Sequence, residues 1–165
     1  MSAADQPPLR QFPDRSIRQT LQHPANLRVL VEQVVPHLAD RFDFARRKLV
    51  DRLFPLEDWR EREADLPFEV PFRVGDEGRW ALVVILLEHQ SDTDRFMPLR
   101  LLLFIVLYWD RQWREWLESP QPREPLRLRP ILPIVFYTGP TNWGSARAIV
   151  DLLDESAEFH PFVPS

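Results

Sequence analysis

Hydrophobic and polar positions alternate most regularly between residues 65 and 74, where Leu66, Phe68, Val70, Phe72 and Val74 are separated by Pro67, Glu69, Pro71 and Arg73 and preceded by Asp65. A period of two puts the apolar set on one side of the chain and predicts a half-buried strand. Gly75-Asp76-Glu77-Gly78 predicts a turn, and Trp80 to Leu87 is apolar on both faces, which predicts a central strand reaching Glu88. Setting Val74 opposite Arg79 across that turn fixes the rest of the register. Leu66/Leu87, Phe68/Ile85, Val70/Val83 and Phe72/Ala81 then pair on one face. On the other face the same register sets Asp65 opposite Glu88, Glu63 opposite Gln90 and Arg73 opposite Trp80. Pro67 and Pro71 share parity, so the N–H groups they lack point to the same edge, which is the one away from this partner strand if the odd positions are non-hydrogen-bonded pairs.

Elsewhere the spacing is helical. From His23-Pro24 onward, Leu27, Leu30, Val31, Val34, Val35 and Leu38 recur on one face, Pro24 suits a first turn, and Pro36 predicts a break or kink. Residues 41–59 fit either a short strand or a helical turn, and the pattern leaves both open. After Ser91-Asp92-Thr93-Asp94 a helix is predicted from Phe96 to Leu117, opened by Pro98 and mostly buried in its first half. Ser119 to Pro130 reads as a loop, Ile131 to Tyr137 as a short buried strand, and Arg147 to Leu153 as a modest last helix. The order is that of an α/β fold, with antiparallel pairing early and a helical crossover that makes the strands at 80–88 and 131–137 parallel. Residues 1–22, polar with Pro7, Pro8 and Pro13, predict a loose leader ahead of one domain over 23–165.

Composition narrows the function classes. A chain of 165 residues, 44% hydrophobic and 28% charged, is one globular domain's worth of protein. Its longest apolar run, Leu101 to Trp109, is far too short to span a bilayer, so no membrane association is expected. The N-terminus has no apolar signal core, which makes a cytoplasmic location the default expectation. With no cysteine, disulfides, thiolate metal sites and cysteine nucleophiles are excluded. A net charge of −4 argues weakly against a general nucleic-acid coat protein. The clusters Arg46-Arg47-Lys48 and Arg123 to Arg129 still leave room for a local basic groove.

The opposed acids are the main chemical feature. Asp65 and Glu88 as a directly facing pair would have Cβ atoms about 4.5–5.5 Å apart. Two such carboxylates repel unless a proton or a cation lies between them. Mg²⁺ needs only one or two carboxylates beside waters and phosphate oxygens, so Asp65 and Glu88 suffice as its ligands. Gln90, two residues on along the same face, is placed to position water; it orients and cannot act as a base. The plainer alternative is a polar strand end meeting solvent. His89 points to the other face, which predicts a packing or hydrogen-bonding role, and His23, His37 and His160 have no metal-ligand spacing. Glu32 reads as solvent-facing, and Trp109, Trp113 and Trp116 as core or a partner interface. Arg100, interrupting an apolar helix near Glu88, is a candidate for a DNA phosphate contact or for pairing with an acid of the site, with a snorkelling arginine as the alternative.

Arg60-Glu-Arg-Glu-Ala-Asp65-Leu, Leu86-Leu-Glu88-His-Gln90-Ser91, Met97-Pro-Leu-Arg100-Leu-Leu and Pro133-Ile-Val-Phe-Tyr137-Thr-Gly139 together resemble the putative transposase, or recombination-promoting nuclease, family (YhgA-like), across about His23 to Val163. That family is similar to the PD-(D/E)XK nuclease superfamily. The resemblance implies an αβββαβ core, a mixed sheet flanked by helices, and a metal-dependent endonuclease that hydrolyses phosphodiester bonds in DNA. In it Asp65 matches the first acid and Glu88 the second. Gln90 takes the place where the superfamily has lysine, and Glu-x-Gln is what the nearer family shows. Mg²⁺, with Mn²⁺ as substitute, is the implied cofactor and DNA the implied partner, with a homo-oligomer left open. Members of this family continue beyond the core, so a truncated copy, or a catalytically inactive remnant serving as a protein-interaction module, is the alternative expectation.

Overall fold

The computed structural model describes residues 19–50, 66–75, 78–120, 124–154 and 161. Helix α1 spans Pro24–Val34; its N-cap is His23, whose Nδ1 accepts a hydrogen bond from the Ala25 amide at 3.3 Å. The helix stops before Pro36, which cannot donate back into it, and a single turn, α2, follows over Pro36–Ala39. Within 41–59 both open options occur: a 3₁₀ turn at Phe44–Arg46 and a two-residue strand, β1, at Lys48–Leu49. The rest of that stretch, and the sequence through Asp65, lies outside the described residues.

Strands β2, Leu66–Val74, and β3, Arg79–Gln90, form the expected hairpin in the expected register, from Val74 opposite Arg79 to Leu66 opposite Leu87. Gly75 and Gly78 bound the turn at φ 59° and 70°, a left-handed conformation that costs a side-chain-bearing residue about 1–2 kcal/mol. Gly75→Ala, which meets no steric obstacle, is expected to lower stability by about 1 kcal/mol, read as a lower urea midpoint at unchanged slope. The outer edge of β2 turns toward the preceding segment: the Val50 and Asp43 amides donate to the Pro67 and Pro71 carbonyls, and the Arg73 amide donates to Arg41. Pro67 and Pro71 therefore have their nitrogens on the edge away from β3, as their shared parity predicts.

Helix α3, Met97–Glu118, then carries the chain across to strand β4, Ile131–Tyr137, which lies parallel to β3 with Glu88 beside Val135. The result is a mixed α/β fold whose four-stranded sheet has the order β1-β2-β3-β4. Both faces are covered. Leu66, Phe68, Val70, Val83, Ile85 and Leu87 pack on α1 through Leu27 and Val31, while Val84 and Leu86 pack on α3 through Phe104 and Tyr108. Leu21, within the stretch expected as leader, is buried in the first of these clusters.

One expected element differs. The helix read over Arg147 to Leu153 is a 3₁₀ turn at Ile149–Leu152 that buries none of its residues. Asp151 accepts from the Arg147 and Ala148 amides and closes the turn locally, and without an apolar face to bury there is nothing to extend it. Among the described residues no helix is long and apolar enough to cross a membrane.

Candidate functional site

Glu88 sits near the end of the central strand with its side chain on the α3 face, and it is only 2% exposed. Such a carboxylate requires compensation, because burial disfavours its charge. The sequence supplies two donors. Gln90, two residues on and therefore on the same face, donates Nε2 to Glu88 Oε1 at 2.5 Å. Arg100, one turn into α3, brings Nη2 to the same oxygen at 2.7 Å. Its Nη1 reaches Asp94 Oδ2 at 3.0 Å, so the guanidinium bridges two acids. Asp94 Oδ1 in turn accepts the Phe96 amide at 2.9 Å and fixes the entry to α3, whose N-cap has no side-chain bond of its own.

Both donors converge on Glu88 Oε1, and among the described residues none reaches Oε2. A buried carboxylate oxygen that no described residue reaches fits a cation ligand. Among the described residues there is no group of three or more His, Asp or Glu able to hold a metal, so any further protein ligand for such a cation comes from outside them. Asp65, the expected one, lies outside the described residues. The ladder is in register up to the neighbouring pair, Leu66 and Leu87.

The remaining candidates fall as follows. Arg100 is paired with Glu88 and Asp94, one of the three readings open to it. His89 faces the other way, with Nε2 at 2.8 Å from Thr138 Oγ1 and its ring beside Phe136. Glu32 is exposed and bridges to Arg28 at 2.6 Å. Two of the three tryptophans anchor the loop after α3: Trp109 Nε1 donates to the Arg129 carbonyl and Trp116 Nε1 to that of Glu124. The basic clusters are partly committed, Arg46 to Asp43 and the Trp80 ring, Arg47 to the Gln22 carbonyl, and Arg129 to Glu69.

Two residues escaped the sequence reading. Asp94 looked like one of several loop polars, although an acid two residues before Phe96 at a helix start is a recognisable capping signal. Glu69 alternates with the core as a polar position, yet α3 partly covers it. Its Oε1 accepts from Tyr108 Oη at 2.7 Å and from Arg129 Nη1.

Burial first, and then the hydrogen bond to Glu69, push the Tyr108 phenol up to about 12. The folded state thus holds this proton more tightly than the unfolded chain, where tyrosine titrates near 10. Its contribution is complete below about pH 10 and is lost as pH rises toward 12. We expect the urea midpoint to fall over that range and Tyr108→Phe to flatten the fall. A difference absorbance titration between the two proteins would place the phenol's midpoint.

No solved structure matches the chain. The family model described as putative transposase, YhgA-like, matches residues 12–164, nearly the whole sequence, and the chain belongs to that family.

Proposed function

We propose that the protein is a Mg²⁺-dependent DNA endonuclease built on a PD-(D/E)XK core, with Asp65 and Glu88 as metal ligands, Gln90 orienting the attacking water and Arg100 contacting phosphate. The observation that carries this reading is Glu88: a buried carboxylate near the end of the central strand whose two donors among the described residues, Gln90 and Arg100, both meet Oε1. The order helix, three antiparallel strands, crossover helix, parallel strand supports the same core, as does membership of a transposase-like family.

When bound, Mg²⁺ or Mn²⁺ would polarise the scissile phosphate and make a bound water nucleophilic near neutral pH. The chain's own groups account for the rest. Gln90 gives its amide hydrogen to Glu88, and its carbonyl oxygen is then the acceptor that can align a water. An amide takes no proton, so Gln90 positions without acting as base. Arg100 holds Glu88 in one rotamer and keeps a guanidinium beside the place where the phosphate would sit. Purified protein should nick supercoiled plasmid in Mg²⁺ and not in chelator; intact plasmid and single-stranded DNA in both conditions would sink the proposal.

One observation favours a second reading. Arg100 already puts a positive charge on Glu88, which compensates the carboxylate without metal. On that reading the protein is an inactive interaction module that keeps the fold. Titration calorimetry separates the two, since the module should show no Mg²⁺ or Mn²⁺ binding that Glu88→Gln removes.

A further inference from the structure

Helix α3 has a second apolar face. The face toward the sheet is Met97, Leu101, Phe104 and Tyr108. On the opposite side, Leu99, Leu103, Val106, Asp110, Trp113 and Leu117 recur at alternating steps of four and three, and Phe96 lies three residues before them. This is the 3.5-residue spacing of a coiled-coil seam, not the broader stripe by which a helix seats on a sheet. It faces outward: Phe96 is 58% exposed, Leu99 49%, Val106 50% and Trp113 50%.

From this seam we infer that two copies of the chain associate through α3, packed antiparallel against its own symmetry mate. The spacing requires a helix as the partner element, and the seam's length of about 30 Å requires a long one. Among the described residues only α3 itself, with 22 residues, is long enough, whereas α1 has 11. A second copy brings the same stripe and makes the contact self-complementary. The area is also of the right order. With about 150–250 Å² for each aromatic side chain and somewhat less for Leu and Val, the four half-exposed residues leave roughly 400 Å² of apolar surface in one strip. That is as much as monomers usually carry and about half of one partner's share of a standard interface. Leu103 within the stripe, Leu102 flanking it and Arg114 at its rim would add to that area.

Asp110 sets the direction. A parallel, in-register pair would place it against the partner's Asp110, and a like-charged pair at a seam position is destabilising. The antiparallel pair faces it with an apolar position instead, and Arg114 already accompanies it at 2.7 Å. The centre of the stripe then falls near Val106. This inference does not depend on the nuclease reading.

The test is the mass in solution. Sedimentation of the full chain at tens of micromolar should give a dimer, and Val106→Glu and Trp113→Glu should each weaken it at least tenfold while circular dichroism at 25 °C stays as in the parent. The chain has no cysteine, so single cysteines report the geometry without background. Val106→Cys should cross-link to itself on oxidation, and Leu99→Cys alone should not. A monomeric parent, or a dimer indifferent to both glutamates, would overturn the inference, as would a parent monomer whose stripe binds a different protein. Equal cross-linking at both cysteine positions would overturn the antiparallel arrangement.

Discussion

Glu88→Gln is expected to slow Mg²⁺-dependent plasmid cleavage by about a thousandfold while the protein remains folded. Glutamine has nearly the same shape, and the site is closed around it, with Glu88 only 2% exposed. What disappears is the negative charge that would hold the cation. A metal's stabilisation of charge at a phosphate is worth several kcal/mol, and each 1.36 kcal/mol is a factor of ten, so about 10³ follows. Stability should change little, because Arg100 keeps Asp94 as a partner when it loses the Glu88 charge. Initial rates on supercoiled DNA, with far-ultraviolet circular dichroism as the folding control, make the measurement. Asp65→Asn should match Glu88→Gln. A variant that cleaves at the parental rate would remove Glu88 from the mechanism.

The part of the site on β3 was legible in the sequence because a strand's period of two is unambiguous when one face is apolar and the turn has a fixed length. Five alternating apolar residues, two prolines of one parity and a glycine-bounded turn determine the β2–β3 register, and that register puts Glu88 and Gln90 on one face with His89 on the other. The crossover rule supplied the parallel β4. What remained hidden depends on contacts between distant elements. Glu69 alternates like a solvent-facing residue, and only the α3 layer turns it into a half-buried acceptor for Tyr108 and Arg129. Asp94 looks like any loop acid until α3 brings Arg100 onto it across six positions. Arg100 itself was visible as an anomaly in an apolar run, but a periodicity cannot say whether such a residue snorkels, binds phosphate or pairs with an acid. The last helix failed for a related reason: a short pattern with no apolar face gains too little from packing to continue past one turn.

Arg100→Met is expected to be the most destabilising substitution in the site, and its response to Mg²⁺ should decide between nuclease and inert module. The side chain is 11% exposed and bridges carboxylates whose side chains are 3% and 16% exposed. Methionine can follow the arginine's stem, so the loss is of charge and hydrogen bonds more than of volume. Removing one partner of a buried pair costs about 3–5 kcal/mol, chiefly because a charge is left in a place that solvates it poorly. With a urea slope of about 1–3 kcal/mol per molar, the midpoint should drop by more than 1 M. A cation that binds the folded protein alone adds stability by mass action, about 2.7 kcal/mol at a hundredfold excess over its dissociation constant. If Asp65 and Glu88 bind Mg²⁺, the cation takes over the compensation that Arg100 supplied. Mg²⁺ should then raise the Arg100→Met midpoint by more than it raises the parent's, and adding Glu88→Gln should abolish that gain. An inert module predicts the same loss of stability from Arg100→Met but no recovery in Mg²⁺, because an arginine that has replaced the cation leaves no cation site behind when it is removed.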